Sequence, residues 1–268
     1  MPEATADRDA GAEPILVVDS VVKHYGGVHA VNEASLTVDQ GTITGLIGPN
    51  GAGKSTLLEL ISGFQRVDAG RIMFEGRPVQ NLPAYAVSRR GIVRTFQAAR
   101  EWPALTVMEN VLLAATPREA ESVWRALLLR RQLARIEAEA RSRAREMLHE
   151  FGLYKLRDEP SGNLSGGQKR LLEFARIACA QPRLVLLDEP QTGVNPVLGE
   201  RMAEAIRTLN ATGVSVVLVE HNLSFVEKLC DPVWVMDLGK AIAVGSMSTL
   251  RRNSAVVDAY LGSVAANA

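Results

Sequence analysis

One octapeptide constrains the fold of this chain more than any other feature. The segment Gly48-Pro49-Asn50-Gly51-Ala52-Gly53-Lys54-Ser55 fits the pattern G-x-x-x-x-G-K-S, follows an apolar run that favours a strand, and opens a run that favours a helix. Glycines let backbone N–H groups turn inward around phosphate oxygens, and the helix start adds unpaired N–H groups and a positive dipole end. Lys54 brings a compact positive charge to the phosphates, and Ser55 offers a hydroxyl to Mg²⁺. The segment therefore predicts a phosphate-binding loop rather than a glycine-rich turn with a solvated lysine.

Strand and helix patterns alternate along the rest of the chain. Apolar, β-rich runs predict strands at 15–18, 35–38, 42–47, 71–74, 184–187, 214–219 and 233–236. Helical patterns fall at 54–61, 168–179, 196–209 and 223–229. Such alternation implies an α/β fold with a mostly parallel sheet covered on both faces. The stretch 119–151 is dense in Ala, Leu, Arg and Glu, which favour helix, and it indicates an insertion into that body.

The composition excludes several classes of function. The 268 residues are 47% hydrophobic and carry 30 Lys+Arg against 30 Asp+Glu, and this balance argues against a protein that grips nucleic acid by bulk charge. No apolar run approaches the roughly 18 residues of a membrane-spanning helix. Residues 1–13, rich in Ala, Glu and Asp, are expected to be a disordered leader rather than a secretory signal. Cys179 and Cys230, two isolated cysteines, indicate a reducing compartment.

Two carboxylates end the apolar strand Leu184–Leu187. Asp188, at the strand tip, is predicted to hold the Mg²⁺ shell, usually through water, because Mg²⁺ keeps several of its waters. Glu189, one residue further, is predicted to polarise a water for in-line attack on a γ-phosphate. By itself this pattern is equally well an acidic turn, but beside a phosphate-binding loop it favours the chemical interpretation.

A second glycine-rich segment, Leu164-Ser165-Gly166-Gly167-Gln168, stands just before a helix. Ser165 is a good N-cap, and Gly166 and Gly167 leave backbone N–H groups uncovered at the helix start. Alone, such a segment is a common structural cap. The presence of two phosphate-binding segments in one chain requires an explanation. One explanation is that the second segment binds the nucleotide of another subunit.

In this order, the motifs resemble those of a known family. The span from about Ile15 to Gly262 resembles the ATP-binding subunit of ABC transporters, and Leu164–Gln168 matches the signature loop of that superfamily letter for letter. The resemblance implies a phosphate-loop ATPase domain over 14–250, with a mostly parallel core, an antiparallel β subdomain and an inserted helical subdomain at about 98–178, followed by a tail over 251–268. It also implies a head-to-tail dimer that encloses ATP between one phosphate loop and the partner's signature loop.

The resemblance assigns further residues one at a time. Tyr25 stands where the family has an aromatic side chain that stacks on adenine, Gln97 where it has a glutamine that reaches Mg²⁺ or the attacking water, and His221 where it has a histidine that contacts the γ-phosphate. Asn195 replaces an Asp that many members have, so that it keeps the hydrogen-bonding shape without the charge. The predicted catalytic residues are Glu189, His221 and Gln97, and the predicted Mg²⁺ ligands are Ser55, Gln97 and Asp188. The predicted ATP contacts are Tyr25, Gly48, Pro49, Asn50, Gly51, Ala52, Gly53, Lys54, Ser55, Thr56, Ser165, Gly166, Gly167 and Gln168.

Three segments of the chain indicate one branch of the family. They are Glu119–Glu150, Gly193–Pro196 and Val257–Gly262. Together they resemble the larger ATPase subunit of branched-chain amino acid importers, a branch that also takes urea, short amides and aromatic acids. The likeness implies a second ATPase subunit, two membrane permease subunits and an external solute-binding protein, with this chain peripheral on the cytoplasmic face of the membrane. Nucleic acid is not an expected partner.

Two alternatives belong to the same superfamily. An ATPase of a lipid export or trafficking system also has a single cassette, but the insertion and the C-terminal ending favour the importer. A soluble ATPase of translation or DNA repair generally has two cassettes or a very long coiled coil, and this sequence has neither. The Arg-rich insertion is more typical of a solvated helical arm than of a surface for lipid headgroups, because glutamates are interspersed with its arginines.

Overall fold

The computed structural model describes residues 14–95, 101–115, 130–191 and 194–266. The described residues divide into two compact units, one of 14–95, 183–191 and 213–266, the other of 101–115, 130–182 and 194–212. Within these ranges every helix is too short or too polar to cross a bilayer. The predicted leader, residues 1–13, lies outside the described residues.

The first unit contains ten strands. They are β1 (Pro14–Tyr25), β2 (Val28–Asp39), β3 (Ile43–Ile47), β4 (Ala69–Phe74), β5 (Arg77–Pro78), β6 (Ile92–Arg94), β7 (Leu184–Asp188), β8 (Ser215–Val219), β9 (Val233–Asp237) and β10 (Lys240–Gly245). Six of them form a sheet in the order β10-β9-β3-β8-β7-β6. The pairs from β9 to β6 are parallel, and only β10 runs antiparallel to its neighbour. The mostly parallel core predicted from the alternating pattern is thus confirmed.

The other four strands of this unit form an antiparallel sheet in the order β2-β1-β4-β5, which confirms the predicted β subdomain. Helix α1 (Lys54–Ile61) shares one hydrophobic core with both sheets, through side chains such as Leu57 and Leu58. The indole N–H of Trp234 donates to the carbonyl of Thr37 at 3.0 Å, which links β9 directly to β2. The loop that precedes α1 packs against both sheets, since Gly48 lies against the carbonyl of Met236 in β9 and Gly53 against that of Ala30 in β2.

The remaining helices of the first unit are short or peripheral. They are α2 (Ala84–Arg89), α7 (Leu223–Leu229), α8 (Met247–Leu250) and α9 (Ser254–Ala266). The described part of the predicted C-terminal tail therefore forms a helix, α9.

The second unit is helical. Its helices are α3 (Val107–Ala115), α4 (Arg130–Glu150), α5 (Gly166–Cys179) and α6 (Pro196–Ala211). Asn110 of α3 is completely buried, and its amide donates to the carbonyl of Trp102 at 3.1 Å and to the hydroxyl of Ser161 at 3.0 Å. These bonds satisfy a polar group in the core and tie α3 to the chain that leads into α5.

Among the described residues, the structure adds seven strands and α-helices that the sequence patterns did not predict. They are the strands β5, β6 and β10 and the helices α2, α3, α8 and α9. Strand β6 has three residues, and its identity comes from pairing with β7 rather than from any local pattern. The first predicted strand, 15–18, is the start of a twelve-residue strand, β1. The predicted helix over 119–151 is observed from Arg130, and its residues 119–129 lie outside the described part of the chain.

Candidate active site

Three loops of the first unit meet at one edge of the parallel sheet. Strand β8 lies between β3 and β7, and all three run in the same direction. Their carboxyl ends lead into the phosphate loop after β3, into Asp188 and Glu189 at the end of β7, and into His221 after β8. In open α/β sheets this edge is where ligands bind.

Close packing determines the shape of the phosphate loop. A Cβ atom on Gly48 would lie 2.1 Å from the carbonyl oxygen of Met236, and one on Gly53 would lie 2.2 Å from that of Ala30. Gly53 has φ +93°, a conformation that favours glycine. Side chains larger than hydrogen are therefore excluded at both positions by backbone atoms that cannot move aside.

Lys54 lies within the loop rather than in solvent. It is 8% exposed, and its Nζ donates to the carbonyls of Gly48 at 2.8 Å and Pro49 at 2.9 Å. Burial lowers the pKa of Lys54, and the charges of Glu189 and Asp188 oppose that shift. The two carboxylates are thus near enough to stabilise the lysine as a cation.

Helix α1 begins without a side-chain cap. Its N-cap is Gly53, and within the described part of the chain the cap makes no side-chain hydrogen bond to the first turn. Ser55 is exposed and Thr56 half-buried in that turn, while Asn50 and Gly51 are exposed at the loop tip. Pro49 and Ala52 are buried and anchor the loop. The helix start is therefore built to receive its hydrogen-bond partners from a ligand.

Asp188 is held by an arginine that the sequence analysis did not single out. The carboxylate oxygen Oδ2 of Asp188 accepts from Arg94 Nη2 at 2.9 Å, and both side chains are almost fully buried. The other oxygen, Oδ1, is buried and has no hydrogen-bond partner among the described residues. An orphaned carboxylate oxygen at this edge fits a cation or its bound water as the missing partner. Among the described residues, no three His, Cys, Asp or Glu side chains converge on one metal site.

Glu189 has an unusual backbone conformation. Its φ is +46°, which is uncommon for a residue other than glycine, and its N–H donates to the carbonyl of Val219 at 2.9 Å. The Glu189 side chain is half-buried, next to the lysine that its charge affects. Backbone strain of this kind clusters at functional sites.

His221 and Glu220 follow β8 and differ sharply in environment. The His221 side chain is 62% exposed, whereas that of Glu220 is completely buried. The distance from Nδ1 of His221 to Oε2 of Glu220 is 4.0 Å. Glu220 is not among the predicted site residues, although a carboxylate directly after an apolar strand is a signal of the same kind as Asp188.

Tyr25 lies at the end of β1, in the hairpin that joins β1 to β2. It pairs with Val28, its side chain is 44% exposed, and the Lys23 ammonium lies 5.5 Å from the centre of its ring. An exposed ring at a hairpin tip is available for stacking. Gln97, the remaining residue predicted for this unit, lies outside the described residues.

The signature segment belongs to the helical unit and begins α5. Ser165 is the N-cap, and its Oγ accepts from the Gln168 N–H at 3.3 Å, while Gln168 Oε1 accepts from the Ser165 N–H at 2.9 Å. A Cβ atom on Gly166 would meet nothing within 4 Å, but one on Gly167 would lie 2.9 Å from a methyl group of Leu198 in α6. Gly167 therefore also serves the packing of α5 against α6.

Asn195, which replaces the common Asp, has a local role. It is the N-cap of α6, and its Oδ1 accepts from the Leu198 N–H at 2.9 Å. This bond needs a carbonyl oxygen but not a negative charge.

The sheet order and this edge define an α/β phosphate-loop nucleotide-binding protein. The family model described as ABC transporter matches residues 31–192. The chain is 40% identical to the "Probable branched-chain amino acid transport ATP-binding protein LivG" of Archaeoglobus fulgidus, over 92% of this chain and 95% of that protein. It is 34% identical to the high-affinity branched-chain amino acid transport ATP-binding protein LivG of Escherichia coli, over 94% of this chain and 99% of that protein. It superposes on the crystal structure of the ADP conformation of an ATP-binding cassette of an ABC transporter with a TM-score of 0.78 and 32% sequence identity. The superposition covers 93% of this chain and 99% of that cassette.

The chain therefore belongs to the ABC transporter family, as an ATP-binding and ATP-hydrolysing subunit. The resemblance inferred from the motifs and the predicted fold class are confirmed.

Proposed function

We propose that this chain powers an importer of branched-chain amino acids or related small solutes. The observation that carries the proposal is the meeting of Lys54, Asp188 and Glu189 at the carboxyl edge of the sheet, in a chain whose relatives are named as branched-chain amino acid transport ATP-binding proteins. Its partners are a second ATPase subunit and two membrane permeases, which place it peripherally on the cytoplasmic face of the membrane. An external solute-binding protein delivers the cargo.

ATP binds along the edge described above. The phosphates lie in the loop 48–55, where they replace the carbonyls of Gly48 and Pro49 as partners of Lys54. The uncapped N–H groups at the start of α1 donate to the same oxygens. Tyr25 stacks on the adenine, which explains an exposed aromatic ring at a hairpin tip.

Hydrolysis requires an activated water. Glu189 accepts a proton from the water that attacks the γ-phosphorus, while the bond to the bridging oxygen breaks and ADP leaves. His221 donates to the γ-phosphate from the neighbouring strand end. Ser55, Asp188 and Gln97 would hold Mg²⁺, which when bound would neutralise charge on the phosphates. Arg94 keeps Asp188 in place and leaves its Oδ1 available.

Coupling to transport depends on a second cassette. The signature segment 164–168 donates to the γ-phosphate bound by the partner subunit, so that ATP joins the two cassettes and hydrolysis releases them. This is a two-state switch, driven by contacts that exist in only one state. The motion passes to the permeases through the helical unit.

The direct test is uptake by the complete transporter in proteoliposomes that contain ATP. We expect radiolabelled leucine to accumulate, and Glu189→Gln to lower ATP turnover by about 10²–10⁴-fold while the Kd for ATP stays close to that of the wild type. Asp258→Asn, an exposed carboxylate on α9, is the control and leaves turnover unchanged. Unaltered turnover in Glu189→Gln would remove this residue as the base. Turnover stimulated by a lipid and not by a loaded binding protein would favour the lipid-export alternative.

A further inference from the structure

We propose that Glu220 is a positioning residue that locks the segment carrying Glu189 to the segment carrying His221, so that both groups reach the γ-phosphate as one unit. The proposal rests on the proposed function, since it assigns Glu220 a task for the same reaction. Glu220 itself does not touch the substrate in this scheme.

The carboxylate of Glu220 bridges two loops. Its Oε1 accepts from the Gln191 N–H at 2.9 Å, and its Oε2 accepts from the His221 N–H at 3.3 Å. Gln191 lies two residues after Glu189, at the end of β7, and His221 lies at the end of β8. One buried side chain thus holds the backbone on both sides of the gap between these strand ends.

Two further bonds reinforce the bridge. The Glu189 N–H donates to the carbonyl of Val219, and the side-chain amide of Asn222 donates to Oε1 of Gln191 at 3.1 Å. Residues 189 and 191 are therefore both fastened to the short stretch 219–222. Any displacement of His221 along its loop is transmitted to Glu189 through these bonds.

The backbone of Glu189 explains why such fastening is needed. A left-handed φ of +46° at a residue with a Cβ atom persists only where the surrounding structure enforces it. The bonds at Glu189 and Gln191 lie on either side of Pro190 and supply that constraint. Without the Glu220 carboxylate, one end of the constraint is lost and Glu189 is free to relax to a more ordinary conformation.

The burial of Glu220 is costly, which argues against an incidental contact. The side chain is 0% exposed, and burial raises its pKa, while the N–H groups of Gln191, His221 and Asn222 act in the opposite direction. An apolar residue at this position would complete the core without that cost. It would also leave the Gln191 and His221 N–H groups without these acceptors.

The experiment compares two variants with a matched control in the complete transporter. Glu220→Ala removes both bonds, and Glu220→Gln keeps an acceptor for Gln191 but presents an N–H to that of His221. The control is Ser215→Ala, at the opposite end of β8, where a buried side chain accepts from the Gly41 N–H at 2.9 Å. Turnover, the Kd for ATP and the thermal midpoint are measured for each.

We expect Glu220→Ala to lower kcat by about 100-fold and Glu220→Gln by about 10-fold, with the Kd for ATP within about threefold of the wild type. Ser215→Ala is expected to lower the thermal midpoint while kcat stays within about twofold. Should Glu220→Ala fail to fold, Glu220→Gln decides: a kcat as high as that of the control overturns the proposal.

A mutant cycle separates positioning from general damage. Because Glu220 acts through Glu189 and His221 together, adding Glu220→Ala to a variant that already carries Glu189→Gln and His221→Ala should lower kcat by no more than about threefold further. A second full 100-fold loss would overturn the proposal. If the wild-type transporter turns over ATP without accumulating leucine, the proposed function fails. If it accumulates leucine and Glu189→Gln lowers turnover while Glu220→Ala behaves like the control, only the role of Glu220 fails.

Discussion

Two helices of this chain begin at segments that the sequence marks as anion sites, yet they begin in different ways. The N-cap of α1 is Gly53 in a left-handed conformation, with no side chain bonded to the first turn. The N-cap of α5 is Ser165, which forms a closed capping box with Gln168. The cap of α1 therefore leaves the N–H groups of its first turn to a ligand, whereas the capping box of α5 already satisfies part of the hydrogen bonding at that helix start.

The difference suggests how each start meets a phosphate. In the proposed scheme, backbone N–H groups at the start of α1 and the buried Lys54 bind phosphate within a single chain. At α5, the hydroxyl of Ser165 accepts from Gln168 and still has its own O–H to donate. The capping box therefore orients a donor without making a complete site, as expected of an element that completes a partner's pocket.

The largest expected effect is on ATP binding at the phosphate loop that precedes α1. Lys54→Ala should weaken ATP binding by the isolated chain about 10–100-fold, because it removes a charge-assisted contact to phosphate. Titration with a fluorescent ATP analogue measures the Kd. Arg135→Ala, which removes an exposed partner of Glu139 on α4, is the control for a lost positive charge. Equal affinity in Lys54→Ala would contradict the assignment of the loop.

The next effect contrasts the glycines at the two starts. Gly53→Ala should destabilise the chain by at least about 2 kcal/mol, because φ is left-handed and the new Cβ would clash with the carbonyl of Ala30. Gly166→Ala has open space around its Cβ and should change stability by less than about 1 kcal/mol. Urea unfolding of both variants gives the comparison, and equal losses would show that the two starts are under the same constraint.

A smaller effect isolates the capping box. Ser165→Ala should cost about 1 kcal/mol of stability and leave ATP binding by the isolated chain unchanged, while it lowers turnover of the assembled pair. Ser246→Ala is a matched control, since Ser246 caps α8 with the same 3.3 Å bond. A turnover equal to that of the control would mean that the Ser165 hydroxyl does not reach the partner's nucleotide.

The smallest effect concerns the cap of α6. Asn195→Asp retains the capping oxygen and adds a negative charge at a helix N-terminus, so stability should rise by about 0.5 kcal/mol at low salt. Measuring the thermal midpoint at low and at 1 M salt checks this, because screening should erase the gain. A salt-independent change would point to something other than the helix dipole.

Most of the candidate site could be proposed from the sequence because its residues follow one another in short motifs. The spacing of the residues is enough to recognise the loop 48–55 and the segment 164–168 as candidate phosphate-binding motifs. Arg94 and Glu220 were missed because their partners are distant in the sequence, Asp188 for the first and Gln191 for the second. Which buried arginine meets which carboxylate depends on the pairing of β6 with β7, and no local pattern encodes that pairing.

Helix α3 of the helical unit was not predicted either, but for a different reason. Helix α3 begins with a reciprocal cap in which the Thr106 N–H donates to Glu109 Oε2 at 2.8 Å and the Glu109 N–H donates to Thr106 Oγ1 at 3.2 Å. The pattern T-x-x-E is a known start signal, so this helix was within reach of sequence analysis.

The amino-acid sequence by itself determined the local chemistry, namely a phosphate loop between a strand and a helix, a strand that ends in two carboxylates, and a serine-capped helix start. These features depend on residues close together in the chain, where backbone propensity and spacing act. Only the tertiary structure decided that β8 lies between β3 and β7, that Arg94 holds Asp188, and that a buried Glu220 joins two strand ends. Those contacts come from strand pairing and core burial over long sequence separations, which the whole fold sets at once.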